Sequence, residues 1–177
     1  MYSISIESFQ KYTGVYQDDD SLQKEYLEAA INIVENYLGY NIQTQKYELQ
    51  LNGNGTNQLQ LKSKPIKEII SIKINGQDID TKDISINEEF INYDIFPTGN
   101  KNIKIEYIAG YGDYNNLENK IVYLTILRIA ALLQSESDNN IGVTSKSFGE
   151  SGGRTFINTV NFDKYLVQIS KYKLLVI

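Results

Sequence analysis

The sequence predicts an α+β fold, mainly α-helical: a helical bundle with helices near 6–12, 21–38, 116–134 and 162–172, and a small antiparallel β-sheet inserted at about 41–108. Three observations carry this. Leu22, Tyr26, Leu27, Ala30, Ile31, Val34, Tyr37 and Leu38 recur at threes and fours, the period of a helix with one buried face. Past Asn41 the period drops to two, as in Tyr47, Leu49, Leu51 and in Ile70, Ile72, Ile74. A dense apolar block then runs from Ile121 to Leu133. Apolar nearly all round, it must be covered on several sides, by its own fold or by neighbouring subunits.

Taken in order, Ser5 can cap a short helix over Ile6 to Tyr12, which Gly14 ends. Asp18, Asp19 and Asp20 precede the Ser21 to Leu38 helix, where negative charge suits the positive end of the helix dipole. The same run lacks the alternating ligands and distal Glu of a calcium loop. Gly39 is a natural stop. In the strand region, Gly53-Asn54-Gly55 turns the chain, Leu59 and Leu61 alternate before Pro65, and Asn75-Gly76 is a two-residue hairpin signal. Weaker strands surround Ile84 and Ile91 to Ile95, and Ile103, Ile105 and Tyr107 form the last. Asn115 or Asn116 can cap the apolar helix, with Glu118 in its first turn. Residues 135–161 are rich in Ser, Gly and Asn and read as a mobile loop or arm. A final helix places Phe162, Tyr165, Leu166, Ile169 and Tyr172 on one side. The terminal Leu174-Leu175-Val176-Ile177 needs a covering surface, either its own domain or a partner.

Composition removes much chemistry. The 177 residues contain no cysteine, histidine or tryptophan. Cys nucleophiles, Ser-His-Asp triads, Cys/His zinc sites and histidine-ligated haem are therefore excluded, and no cofactor or metal site is expected. A formal charge of −5 opposes tight binding to phosphates. The fourteen tyrosines read as strand and interface residues rather than base-stacking platforms. The N-terminus lacks the basic head and apolar core of a signal peptide, and the 121–133 block is shorter than the about 20 residues a bilayer needs. The chain reads as soluble and intracellular at synthesis, with no membrane partner.

Candidate motifs each have a plainer explanation. Gly110-Tyr111-Gly112 stands where a dinucleotide fingerprint would, but Asn115 replaces its third glycine and the preceding strand belongs to hairpins. Gly149 to Thr155 lacks the Gly-Lys-Ser/Thr of a phosphate loop. Asp78-Ile79-Asp80 follows a turn, where exposed aspartates are ordinary. No spacing singles out a carboxylate pair for hydrolysis. Arg128, the one cation of the apolar helix, is either a buried ion-pair partner or a subunit-interface residue.

Four stretches together resemble a known family: the two N-terminal helices ending Val34-Glu35-Asn36-Tyr37-Leu38-Gly39; the strands with Leu59-Gln60-Leu61 and Pro65 to Ile72, then Asn75-Gly76; Ile105-Glu106-Tyr107-Ile108-Ala109-Gly110-Tyr111-Gly112 before the apolar helix; and Tyr165-Leu166 through Leu174. With these the chain resembles the head–tail connector (adaptor, or head completion) proteins of tailed bacteriophages. Two departures are a short apolar end in place of a basic tail, and no proline near the start of the apolar helix.

The resemblance implies a structural, non-enzymatic virion protein of the neck, made in the bacterial host cytoplasm. It implies a ring of about twelve copies, able to be monomeric when free, between portal protein and a tail completion or stopper protein. DNA passes through without sequence-specific binding. Residues 1–134 would be the connector core, 135–161 the arm, and 162–177 the portal-docking helix and tail. Phe162, Tyr165, Leu166, Ile169, Tyr172, Leu174 and Leu175 are the expected docking residues, and Arg128 a subunit-interface residue. The alternative is a non-catalytic phage or prophage binding module of a tail or surface, which the tyrosines and the sheet permit.

Overall fold

The computed structural model describes residues 4–113, 119–137, 145–147, 153–155 and 161–174. The chain divides into two compact units. One comprises Met1–Tyr37 and Asn119–Tyr172, the other Leu38–Glu118 and Lys173–Ile177.

The first unit is helical. α1 spans Ile6–Thr13 and α2 spans Ser21–Leu38, ending at the unit boundary. Ser5 caps α1 as expected, its hydroxyl accepting the Ser8 N–H at 3.2 Å. Gly14 ends it in the left-handed conformation, φ 71°, donating its N–H to the Gln10 carbonyl. Asp19 Oδ1 accepts the Ser21 N–H at 3.0 Å at the start of α2. That bond is the main reason the Asp19 carboxyl titrates below its usual range. α2 buries Leu27, Ala30, Ile31 and Val34, the stripe read from its period.

α3 spans Lys120–Ser137. Its first-turn cap is Asn119, whose Oδ1 accepts the N–H groups of Ile121 and Val122 at 3.2 and 3.3 Å. The expected caps, Asn115 and Asn116, lie outside the described residues. Val122, Ile126, Ile129 and Ala130 are fully buried. The last segment is not one α-helix. α4 covers only Asp163–Leu166, and Val167–Tyr172 tightens into a 3-10 helix. A threefold repeat lines up residues three apart, here Leu166 and Ile169, both buried, with Tyr172 at the next step. Of the 135–161 segment, the described part beyond α3 forms β8 (Ser145–Ser147) and β9 (Gly153–Thr155), paired antiparallel. The rest of that expected arm lies outside the described residues.

The second unit is built on β7 (Gly99–Ala109), an interior strand. It pairs antiparallel with β1 (Gln45–Gly53) on one side and β3 (Ile66–Ile74) on the other. β4 (Gln77–Ile79) completes the order β1-β7-β3-β4. Register places Ile105 between Leu49 and Ile72, and Tyr107 between Tyr47 and Ile69, so apolar residues share one face. Tyr47 and Tyr107 stack, with ring centroids 5.1 Å apart. Asn75 and Gly76 take φ of 52° and 81° in the expected hairpin between β3 and β4. A three-stranded sheet, β2 (Gln58–Gln60), β6 (Phe90–Asn92) and β5 (Ser85–Asn87), is ordered β2-β6-β5. Its Leu59 and Ile91 join Phe96 and the buried isoleucines of β3 and β7, such as Ile72 and Ile105, in a single core.

This corrects the expected fold class. The molecule is α+β, but it is not a mainly helical bundle carrying a small sheet. The strand region forms two antiparallel sheets around a core of its own. The reason is that β2, β5 and β6 are each three residues long, too short to show a period alone. Pairing with each other makes them a layer.

Asn102 joins three parts of this unit. Its Oδ1 accepts the Gly53 N–H at 2.8 Å, and its Nδ2 donates to the Pro97 carbonyl at 2.8 Å and to Asn75 Oδ1 at 3.2 Å. A Cβ at Gly53 would stand 1.9 Å from the Pro97 oxygen, so the approach needs glycine. We expect Asn102→Ala to destabilise the protein by about 1–3 kcal/mol through the orphaned backbone groups, seen as a lower urea midpoint at unchanged slope.

Candidate assembly surfaces

The Gly110-Tyr111-Gly112 turn that ends β7 is a structural clamp. Tyr111 N–H donates to the Ile42 carbonyl at 2.8 Å, and Thr44 N–H to the Gly112 carbonyl at 2.8 Å. Gly112 N–H donates to Thr44 Oγ1 at 2.7 Å and Gly110 N–H to the Pro65 carbonyl at 3.0 Å. Gly110 holds φ 128°, and a Cβ there would come 2.6 Å from the Gln43 oxygen and the Thr44 backbone. These N–H groups are spent on the protein's own backbone and Thr44, so the turn does not present them to a phosphate.

Beside the clamp, Lys64 Nζ and Glu89 Oε2 form an ion pair of 3.1 Å between side chains 5% and 4% exposed. Pairing offsets the cost of burying both charges. The Leu61 N–H donates to the Glu89 carbonyl and the Ile66 N–H to the Glu88 carbonyl, both at 2.8 Å, so the β5–β6 turn is tied to the segment that carries Lys64. Tyr40 belongs to the same cluster. Burial, then the Tyr111 phenol hydrogen-bonded to it, then Glu89 and Glu88, push its phenol well above the ordinary range. Sequence reasoning missed this cluster. Neither Lys64 nor Glu88 and Glu89 falls in a motif that singles it out.

The expected docking residues divide. Leu166 and Ile169 are buried within the helical unit. Phe162, Tyr165, Tyr172 and Leu174 are half-buried, and Leu175 lies outside the described residues. In the sheet unit, the Leu174 N–H donates to the Leu38 carbonyl at 2.9 Å. Half-buried Arg128 donates from Nη1 to Gln168 Oε1 at 2.8 Å, tying α3 to the 3-10 segment.

Two faces of the helical unit are apolar and uncovered by described residues. The first is the α1–α2 junction. Tyr12, Val15, Tyr16 and Leu22 are exposed there, Tyr16 to 71%. The loop is held from beneath by Gln23, which is fully buried. Its Nε2 donates to the Val15 carbonyl at 3.3 Å and its Oε1 accepts from Gln10 Nε2 at 2.9 Å. Asp18, Asp19, Asp20 and Glu25 adjoin these residues in the chain, as does exposed Lys11, and Lys24 Nζ is engaged by Asp20 at 2.6 Å. The second face lies on α3, where Ile121 and Leu124 are exposed and Arg128 continues the stripe at helical spacing. The neighbouring 3-10 segment exposes Val167 to 63%. Lys120 adjoins Ile121, and Lys164 and Lys171 lie on the C-terminal segment with Val167; each is near a tyrosine ring, with Lys164 Nζ 4.7 Å from the Tyr165 centroid. Sequence reasoning looked for a subunit contact on the exposed side of the Ser21 to Leu38 helix, but did not single out Tyr12, Val15 and Tyr16 around Gly14.

Among the described residues no helix is long and apolar enough to cross a membrane, and no three Asp or Glu cluster as metal ligands would. What the molecule offers is surface. A family model, head completion protein, matches residues 3–169. The chain belongs to the head completion protein family. Its role is structural, at the connection between head and tail. No curated protein matches this head completion protein. Among solved structures it resembles a chain of the virion of a native gene transfer agent particle, at TM-score 0.63 and 13% identity over 98% of this chain and 91% of that one. A chain from the neck of an empty particle of that kind, computed with C6 symmetry, gives 0.62 at 13% identity over 98% and 91%. One from the neck of a native particle, computed with C12 symmetry, gives 0.59 at 14% over 97% and 89%. At these identities the likeness establishes a shared fold.

The buried pair yields a stability prediction. Lys64→Met alone, or Glu89→Leu alone, leaves one uncompensated buried charge and should cost about 3–5 kcal/mol. The double variant should recover most of that loss, measured by chemical unfolding as a double-mutant cycle.

Proposed function

We propose that this head completion protein forms a ring of about twelve copies beneath the portal protein, with a tail completion protein below, around the channel through which DNA passes. The observation that carries the reading is the family match over nearly the whole chain. The fold shared with chains from particle necks, one of them computed with C12 symmetry, agrees with it. In this reading the protein makes and breaks no bond. Its charge of −5 suits a channel wall that must let phosphates slide, since gripping DNA draws on cations that release counterions.

Within this reading the C-terminal segment docks on the portal. Leu166 and Ile169 anchor it to its own unit, leaving Phe162, Tyr165, Tyr172, Leu174 and Leu175 to meet the partner. Residues 1–134 form the connector core, and 135–161 act as an arm toward the partner. The protein is made in the host cytoplasm and works in the virion neck.

Imaging of the full chain mixed with its portal should show a second ring stacked on the portal ring. A chain that stays free beside intact portals would overturn the reading. Phe162→Asp with Tyr172→Asp should weaken portal association at least about tenfold, some 1.4 kcal/mol, with an unchanged far-ultraviolet spectrum.

A further inference from the structure

We propose that the two exposed faces of the helical unit meet head to tail between copies of this chain: the acidic-bordered patch around Tyr16 on one copy against the basic-bordered stripe of Ile121 and Leu124 on the next. This rests on the ring reading and adds which surfaces close it.

Charge selects the occupant. From Lys11 to Glu35 the chain carries six carboxylates and two cations, Lys11 and Lys24, the latter already paired with Asp20. α3 carries Lys120 and Arg128 against Glu136, and the adjoining segment adds Lys164 and Lys171 against Asp163. Contacts that set acidic border on acidic border, or basic on basic, would repel. Like-charge juxtaposition across an interface costs several kcal/mol. Only the acidic face of one copy against the basic face of another is attractive. Made once between each pair of copies, such a contact is heterologous, the kind from which a ring is built when the rotation between copies closes.

Apolar area supplies the binding. Tyr16, Val15 and Leu22 on one face and Ile121, Leu124 and Val167 on the other are exposed anchors. Tyrosine at the centre of a patch is a typical hot spot. The loop bearing Tyr16 is pinned through buried Gln23, so little ordering is lost on contact.

Two experiments test the pairing. The first uses the absence of native cysteine. The full chain with Tyr16→Cys and Leu124→Cys together is assembled on its portal and treated with a short bismaleimide. A ladder of chain multimers is expected, while each single-cysteine variant gives none. A visible ring without a ladder overturns the face assignment and leaves the ring reading standing. Absence of any ring defeats both. Cross-linking of either introduced thiol to the portal or a tail protein instead shows that another partner covers these faces and overturns the proposal.

The second experiment reverses charges at exposed positions. Asp18→Lys with Glu25→Lys and Glu28→Lys makes both faces basic, and Lys164→Glu with Lys171→Glu makes both acidic. Each variant alone should enter rings at least about tenfold less. An equimolar mixture should restore ring formation, because the two can alternate around a ring of even number. Failure of the mixture with both variants folded, as judged by their spectra, overturns the proposal.

Discussion

The sheet unit depends on one clamp, the set of short backbone bonds between Ala109–Gly112 and Ile42–Thr44. The chain leaves α2 at Leu38, builds two antiparallel sheets, and returns at Gly112 beside the point where it departed. Tyr111 to Ile42 and Thr44 to Gly112 fasten entry to exit. A unit whose ends lie together can be inserted between two helices without opening its own core. The clamp works only because Gly110 lacks a Cβ, with Gln43 and Thr44 backbone atoms 2.6 Å from where one would stand. The most specific stretch of the sequence is thus a packing requirement. β7 transmits it, since the strand that ends in the clamp also pairs with both β1 and β3.

A second constraint is where the chain spends its polar groups. Lys64, Glu89, Tyr40 and Tyr111 are drawn into one cluster beside the clamp. Buried ionisable groups in a cleft would ordinarily suggest catalysis. Here the charges neutralise each other, and the flanking carbonyls of Glu88 and Glu89 are used by Ile66 and Leu61. The same cluster therefore fixes the β5–β6 turn against the cis Lys64-Pro65 bond. Its role is registration of one sheet on the segment leading to the other, the use for which buried ion pairs are best attested.

Local chemistry was legible in the sequence wherever one residue decides a conformation. Ser5, Gly14 and Asn75-Gly76 act through their own backbone bonds or φ values, and α1, α2 and the β3–β4 hairpin fall where those residues place them. Structure that depends on distant partners was not legible. Leu59 and Ile91 marked short strands, but that Gln58–Gln60 pairs with Phe90–Asn92 in a second sheet could be read from neither segment. At the start of α3 several asparagines precede the apolar block, and among the described residues Asn119 accepts its first-turn N–H groups. The 3-10 segment is a third case. Leu166, Ile169 and Tyr172 fit an α-helical stripe and a threefold one equally, and packing on the unit decides between them. Of the candidate surfaces, the C-terminal segment was visible as an apolar face. The Tyr16 patch was not, because an exposed tyrosine is recognised only once the fold shows what leaves it uncovered.

These features also bear on when a connector assembles. In the proposed ring each copy contributes one modest apolar patch with a charged border to each neighbour. Borders of this kind steer encounter and choose partners more than they add affinity. Two free copies would share one such contact, against an association cost of at least about 4 kcal/mol. Copies already docked on a portal face each other at high effective concentration, so each further contact is made within the assembly, and the last copy to enter makes two. Weak faces of opposite charge are therefore suited to a protein that should remain dispersed until a portal presents itself. Stronger, purely apolar faces would close rings, or filaments, without one.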